Sequence, residues 1–253
     1  MKTLICCLTI LGLLLSACSA NEEKEPKVPM ELSEIKDSFS SLYQIIFRKE
    51  NESIFPTLGA EEAVMVGSGF EPFPKENVPT GVGFYDERKH YYIKEALKQM
   101  ETARVRLLHD GAGQETIEAL DNIVHRLAHE INEKNDAQAM EALNDGIYLI
   151  SRLMDDYGKA CEGCVLRLEY SLNLLEMEAE NPKRFINALS FTQKVISELE
   201  SKVDDDSKTY VKQMKESVIS LQNASEYNDE ELIRLKVEIM RANWKKISSM
   251  TKT

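Results

Sequence analysis

The chain lacks several things that would name a function. No apolar run is long enough to cross a bilayer, no stretch of period-two alternation is long enough to build a sheet, and a single tryptophan serves 253 residues. A membrane-spanning helix needs about 20 consecutive apolar residues, and the N-terminal run Leu4–Leu15 falls well short. The G-x-S-x-G elbow, the Walker A loop and the dinucleotide fingerprint are missing, and so is H-E-x-x-H, because the run His129-Glu130-Ile131-Asn132-Glu133 ends on a carboxylate where a second imidazole is required. With no catalytic signature in view, a non-enzymatic role is expected. Basic residues are also in deficit, 31 against 43 acidic ones, for a formal charge of −12. Phosphate backbones and anionic headgroups are held by Lys and Arg, so this balance argues against nucleic acid and other polyanions as main partners. Cations, basic peptides and other proteins are left as candidates.

What is present begins with an address. Lys2 gives a short positive start, and Leu4–Leu15 has the length of a signal-peptide core. The four residues behind it, Leu15-Ser16-Ala17-Cys18, resemble the lipobox of bacterial lipoproteins. That resemblance covers residues 1–18 alone. It implies that residues 1–17 are a cleaved signal and that Cys18 becomes the mature N-terminus, carrying a diacylglycerol and an N-acyl chain such as palmitate, which together hold a protein stably on a membrane. The implied location is the extracytoplasmic face of a bacterial cell envelope. Loss of residues 1–17 would take only Lys2 with it and bring the charge to −13. Residues 18–30 then read as the lipidated cysteine and a solvated tether: charged, proline-bearing and without apolar periodicity.

Residues 31–253 read as one all-α domain of about seven or eight amphipathic helices. Apolar residues recur at helical spacing along 84–108 (Ile93, Leu97, Met100, Leu107, interrupted by Arg104), 114–132 (Ile117, Leu120, Val124, Leu127, Ile131) and 136–157 (Ala139, Leu143, Ile147, Ile150, Met154). Further stripes are Val165, Leu168, Leu172 and Leu175; Phe185, Leu189, Ile196, Leu199 and Val203; Val211, Met214, Val218 and Leu221; and Ile233, Val237, Met240, Trp244 and Ile247. Between them stand Asp110–Gly113, Asn181-Pro182, Asp204–Asp206 and Asn228-Asp229, which are helix stops and caps. Short connections predict an up-and-down bundle, or two bundles sharing a helix. Residues 51–83 break the pattern with four prolines, five glycines and Phe55, Phe70 and Phe73. They are expected to form an irregular loop, either packed across the bundle end or serving as a binding loop through those three rings.

Cys161 and Cys164 form a Cys-x-x-Cys, and at 100° per residue they share a face with Val165, Leu168, Leu172 and Leu175, so both thiols are expected to point inward. The run Gly158–Cys161 resembles the haem segment of cytochromes c′, which are also four-helix bundles, yet Val165 stands where covalent haem needs its axial histidine. Thiol exchange would draw on a helix N-terminus to favour thiolate. A structural pair, as buried thiols or as a local disulfide favoured by export, is the simpler reading. His125 and His129, spaced i, i+4, put two rings on one side of a helix, as a metal site requires, with Glu118, Asp121 or Glu133 nearby in sequence. That side lies away from the apolar stripe, so a joint site with the inward cysteines would turn one helix against its own pattern. Three functions follow: a membrane-anchored helical scaffold for a protein or peptide partner without a cofactor, a metal-binding lipoprotein using His125 and His129 with or without the cysteines, or a thiol-redox protein. The first is expected.

Overall fold

The computed structural model describes residues 30–50, 97–109 apart from 99, 103 and 108, 113–227 and 229–251. Cys18, the tether before Met30, and the 51–83 segment with Phe55, Phe70 and Phe73 lie outside the described residues. Among the described residues every regular element is a helix: α1 (Met30–Glu50), α2 (97–109), α3 (Gln114–Asn132), α4 (Asp136–Asp156), α5 (Ala160–Met177), α6 (Pro182–Glu200), α7 (Asp205–Glu226) and α8 (Glu230–Met250). None of the described helices is long and apolar enough to cross a membrane.

Local chemistry sets the boundaries. Asn135, Asn181, Asp204 and Asp229 are N-caps whose side-chain oxygens accept from the backbone N–H groups of Gln138, Arg184, Ser207 and Leu232, and Pro182 occupies the first turn of α6, where its missing N–H costs nothing. At the end of α4 the N–H of Gly158 bonds to the Asp155 carbonyl at 2.9 Å and that of Lys159 to the Met154 carbonyl at 2.8 Å. This six-residue closure needs a left-handed residue, which Gly158 supplies at φ +75. The turn after α3 closes in the same way around Lys134, at φ 59.

The apolar stripes read from the sequence do form the core wherever they fall on described residues, residues 84–96 with Ile93 lying outside these, but they form two clusters. Helices α5, α6, α7 and α8 contact one another in a closed ring, an up-and-down four-helix bundle around Val165, Leu168, Leu172, Phe185, Ile196, Met214, Val218 and Met240. Helix α4 packs on the outside of α5, and α1 and α3 pack on α4, enclosing the first cluster. Helix α1 contributes Leu32, Ile35, Phe39, Leu42 and Ile46, each at most 1% exposed. Their alternating three- and four-residue spacing is a coiled-coil-like seam, and at about 1.5–3 kcal/mol per buried side chain it holds α1 firmly. Gly146 lets that seam close: a Cβ there would stand 2.6 Å from the fully buried Phe39 ring.

Helix α5 is the element shared by both clusters. Cys164, Val165, Leu168, Leu172 and Leu175 face the four-helix bundle, whereas Leu166 faces the first cluster. A helix covered on both sides must carry its remaining polar residues inside the protein. That consequence shapes the sites below.

Candidate functional site

The Cys-x-x-Cys lies in the first turn of α5, directly behind the Gly158 turn. Cys164 is fully buried, and its thiol donates to the Val195 carbonyl at 3.6 Å. Cys161 is half-buried and lines an open depression of about 310 Å³ between the start of α5, the α6–α7 turn and the end of α8. Lys159, Lys202, Asp204, Ser207 and Met250 complete its wall. Both cysteines are free thiols. The shared inward face expected of them is thus realised fully by Cys164 and only in part by Cys161.

Their chemistry follows from burial. The Cys164 thiol is pushed up to about 12 by burial and by the nearby Glu198, against which Arg167 and Lys202 pull weakly. Burial also raises Cys161, with Glu162 adding to the shift and Lys202 opposing it. A helix N-terminus favours thiolate by a modest amount, and here desolvation wins. Near neutral pH both groups are thiols, the unreactive form in disulfide exchange.

Behind the cysteines runs a line of charge. The Arg167 guanidinium, on a residue 8% exposed, donates to Asp155 of α4 at 2.5 Å and to Glu198 of α6 at 2.7 Å. Glu198 also accepts from Lys202 at 2.6 Å. The Lys202 contact is the main reason that the Glu198 carboxyl sits below its ordinary range, with Arg167 assisting. Lys202 reaches as well toward the Ala160 carbonyl at 3.5 Å, so the cation that draws the Cys161 thiol down is already committed. Gly163 permits the close approach of α4 to α5 that this line needs, since a Cβ would fall 2.5 Å from Asp155 Oδ1 and 2.6 Å from the Ser151 carbonyl oxygen.

His125 and His129 are exposed on α3, on the side away from the core. Of the carboxylates near them in sequence, Asp121 lies 3.5 Å from Arg104, and Glu118 accepts from Gln114 at 3.0 Å. Among the described residues no group of three or more His, Cys, Asp or Glu side chains is placed to hold a metal ion. The two histidines and the two cysteines therefore do not come together as one ligand set.

The most elaborate polar constellation lies among residues to which the sequence pattern does not point. Glu169, Asn173 and Glu176 occupy one stripe of α5 at i, i+4 and i+7, the pattern of a solvated face, yet Glu169 is 3% and Asn173 0% exposed. Arg241 of α8 donates through Nε to Glu176 Oε1 at 2.7 Å and through Nη2 to Asn173 Oδ1 at 2.8 Å, with Glu176 Oε2 only 2.6 Å from Nη2. Tyr43 of α1 donates its hydroxyl to the Asn173 carbonyl at 3.1 Å, and Asn173 donates to Asn144 Oδ1 of α4 at 2.9 Å. Asn144 in turn donates to the Tyr170 carbonyl at 3.2 Å. One seam thus ties α1, α4, α5 and α8 together. The only sequence signal was a polar stripe on α5 beside an arginine on the edge of α8's apolar face.

No protein-family model, characterised protein or solved structure matches this chain.

Proposed function

We propose that the chain is a lipoprotein of the bacterial cell envelope, anchored through Cys18 on the extracytoplasmic face, and that its helical domain binds a protein or peptide partner without performing chemistry of its own. The observation that carries this reading is Leu15-Ser16-Ala17-Cys18 directly behind the apolar run Leu4–Leu15, the pattern on which a diacylated anchor is built. The all-helical architecture and the acidic surface suit a protein or basic peptide partner. The raised thiols of Cys161 and Cys164 weigh against thiol-disulfide exchange as the alternative.

The test is metabolic labelling of the full chain with a clickable palmitate analogue in a bacterial host, followed by detergent phase partitioning and cross-linking in intact envelopes. Wild-type protein is expected to incorporate label and enter the detergent phase, and Cys18→Ser to lose both. Equal label and partitioning in Cys18→Ser overturns the anchor. A stoichiometric protein cross-linked to the anchored wild type, and captured again by the purified domain, supports the binding role; turnover of a substrate by the purified domain overturns it.

A further inference from the structure

Around the α5 stripe the charges do not balance. Glu169 and Glu176 of α5 meet Lys36 and Asp37 of α1 and Arg241 and Glu238 of α8, with the Tyr43 hydroxyl of α1 also facing them. Among the described residues two cations therefore face four carboxyl groups. Both cations are committed: Arg241 to Glu176 at 2.6 Å, and Lys36 to Asp37 at 3.0 Å. Glu169 is left outside these pairs, although its residue is only 3% exposed. Ser40 of α1 is close enough for its hydroxyl to draw the carboxyl down by hydrogen bonding, yet Ser40 Oγ has no partner that meets full hydrogen-bond geometry. An isolated carboxylate at such a depth is costly, and the cheapest relief is a proton.

We infer that Glu169 makes the seating of α1 on α5 sensitive to pH: the side chain is neutral while α1 is docked, and its ionisation works against docking. Burial raises the Glu169 carboxyl above its ordinary range, opposed by Ser40, Arg241 and Lys36 and assisted by Asp37. A carboxyl raised in the docked state binds a proton there that the undocked state has already released. The contribution of Glu169 is therefore complete in acid and is lost as pH rises through the raised value, at about tenfold in the docking equilibrium per pH unit across the window between the undocked and docked values. The element affected is α1, the first helix after the 18–30 segment, so the pH of the surroundings would set how firmly the start of the domain is held.

The experiment is hydrogen exchange by mass spectrometry on the full chain in detergent, from pH 5 to pH 8, corrected for intrinsic exchange rates. Protection of α1 peptides is expected to fall over that range relative to α6 and α7 peptides, and Glu169→Gln is expected to flatten the difference. Parallel profiles for wild type and Glu169→Gln, or an equal loss of protection in all helices, overturn the inference. Should the variant fail to fold, the wild-type Glu169 carboxyl is titrated by 13C NMR. A midpoint in the ordinary carboxylate range overturns the inference, and a raised midpoint supports it.

Discussion

Replacing Arg241 by alanine removes the guanidinium that the seam is built around. Three polar contacts are lost, to Glu176 Oε1 at 2.7 Å, Glu176 Oε2 at 2.6 Å and Asn173 Oδ1 at 2.8 Å. Hydrogen bonds to charged groups contribute about 1.5–3 kcal/mol each, so simple addition would give roughly 5–9 kcal/mol. Addition overcounts, because the alanine variant no longer bears the desolvation cost of burying the guanidinium, and breaking one side of a buried pair costs about 3–5 kcal/mol in practice. Side chains only 11% and 10% exposed place this pair in that class. The cost has an escape route: a Glu176 carboxyl already pushed up by burial, and held down chiefly by Arg241, takes a proton once the arginine is removed. Its folded-state value then lies above the unfolded one, so the variant gains stability as pH falls through that value, and the gap to wild type narrows in acid. Urea unfolding followed by circular dichroism at pH 7.5 and pH 5 measures both effects. The double replacement Arg241→Met/Glu176→Leu, which leaves no charge behind, is expected to recover most of the loss. A loss below about 1 kcal/mol for Arg241→Ala, or a double variant as unstable as the single, would refute the account of the seam.

Two further outcomes are expected. Gly163→Ala places a methyl group 2.6 Å from the Ser151 backbone oxygen, which cannot rotate away; separating α4 from α5 costs about 2–3 kcal/mol against a gain of about 1 kcal/mol in helix propensity, so denaturant unfolding shows a net loss, and any stabilisation contradicts the close approach. Alkylation of the native protein at pH 7.5, read by mass spectrometry, modifies Cys161 slowly and Cys164 only through unfolding, because a thiol raised to about 12 holds a thiolate fraction on the order of 10⁻⁴ to 10⁻⁵ there, and both rates climb with pH; native labelling of Cys164 at the rate of the denatured chain refutes it.

The helices themselves were legible in the residues. Periodicity placed Leu143, Ile147 and Ile150, or Val211, Met214 and Val218, on one face, and each of these is at most 1% exposed. Asn181-Pro182 and Asp229 mark helix starts by local chemistry alone, through a side chain that satisfies the backbone three residues on. Such features depend on neighbours in the chain and can be read without knowing the fold. The division into two clusters could not be settled in this way, since a stripe shows that a face is buried and not against what. The polar side of α5 is the sharpest case. Glu169, Asn173 and Glu176 have the spacing of a wet face, and their burial depends on α1 and α8 arriving from residues 130 and 68 positions away, at Tyr43 and Arg241 respectively. The hydropathy of one helix carries no record of a partner so distant in sequence. The fates of Cys161 and Cys164 divided for the same reason: one turn of helix gives both an inward bearing, but only the placement of the α6–α7 turn and the end of α8 leaves Cys161 on an open depression while Val195 closes over Cys164. Local periodicity determined which residues form helices and which of their faces are apolar; only the tertiary structure decided which polar residues share the interior, because burial belongs to the assembled helices and not to any one of them.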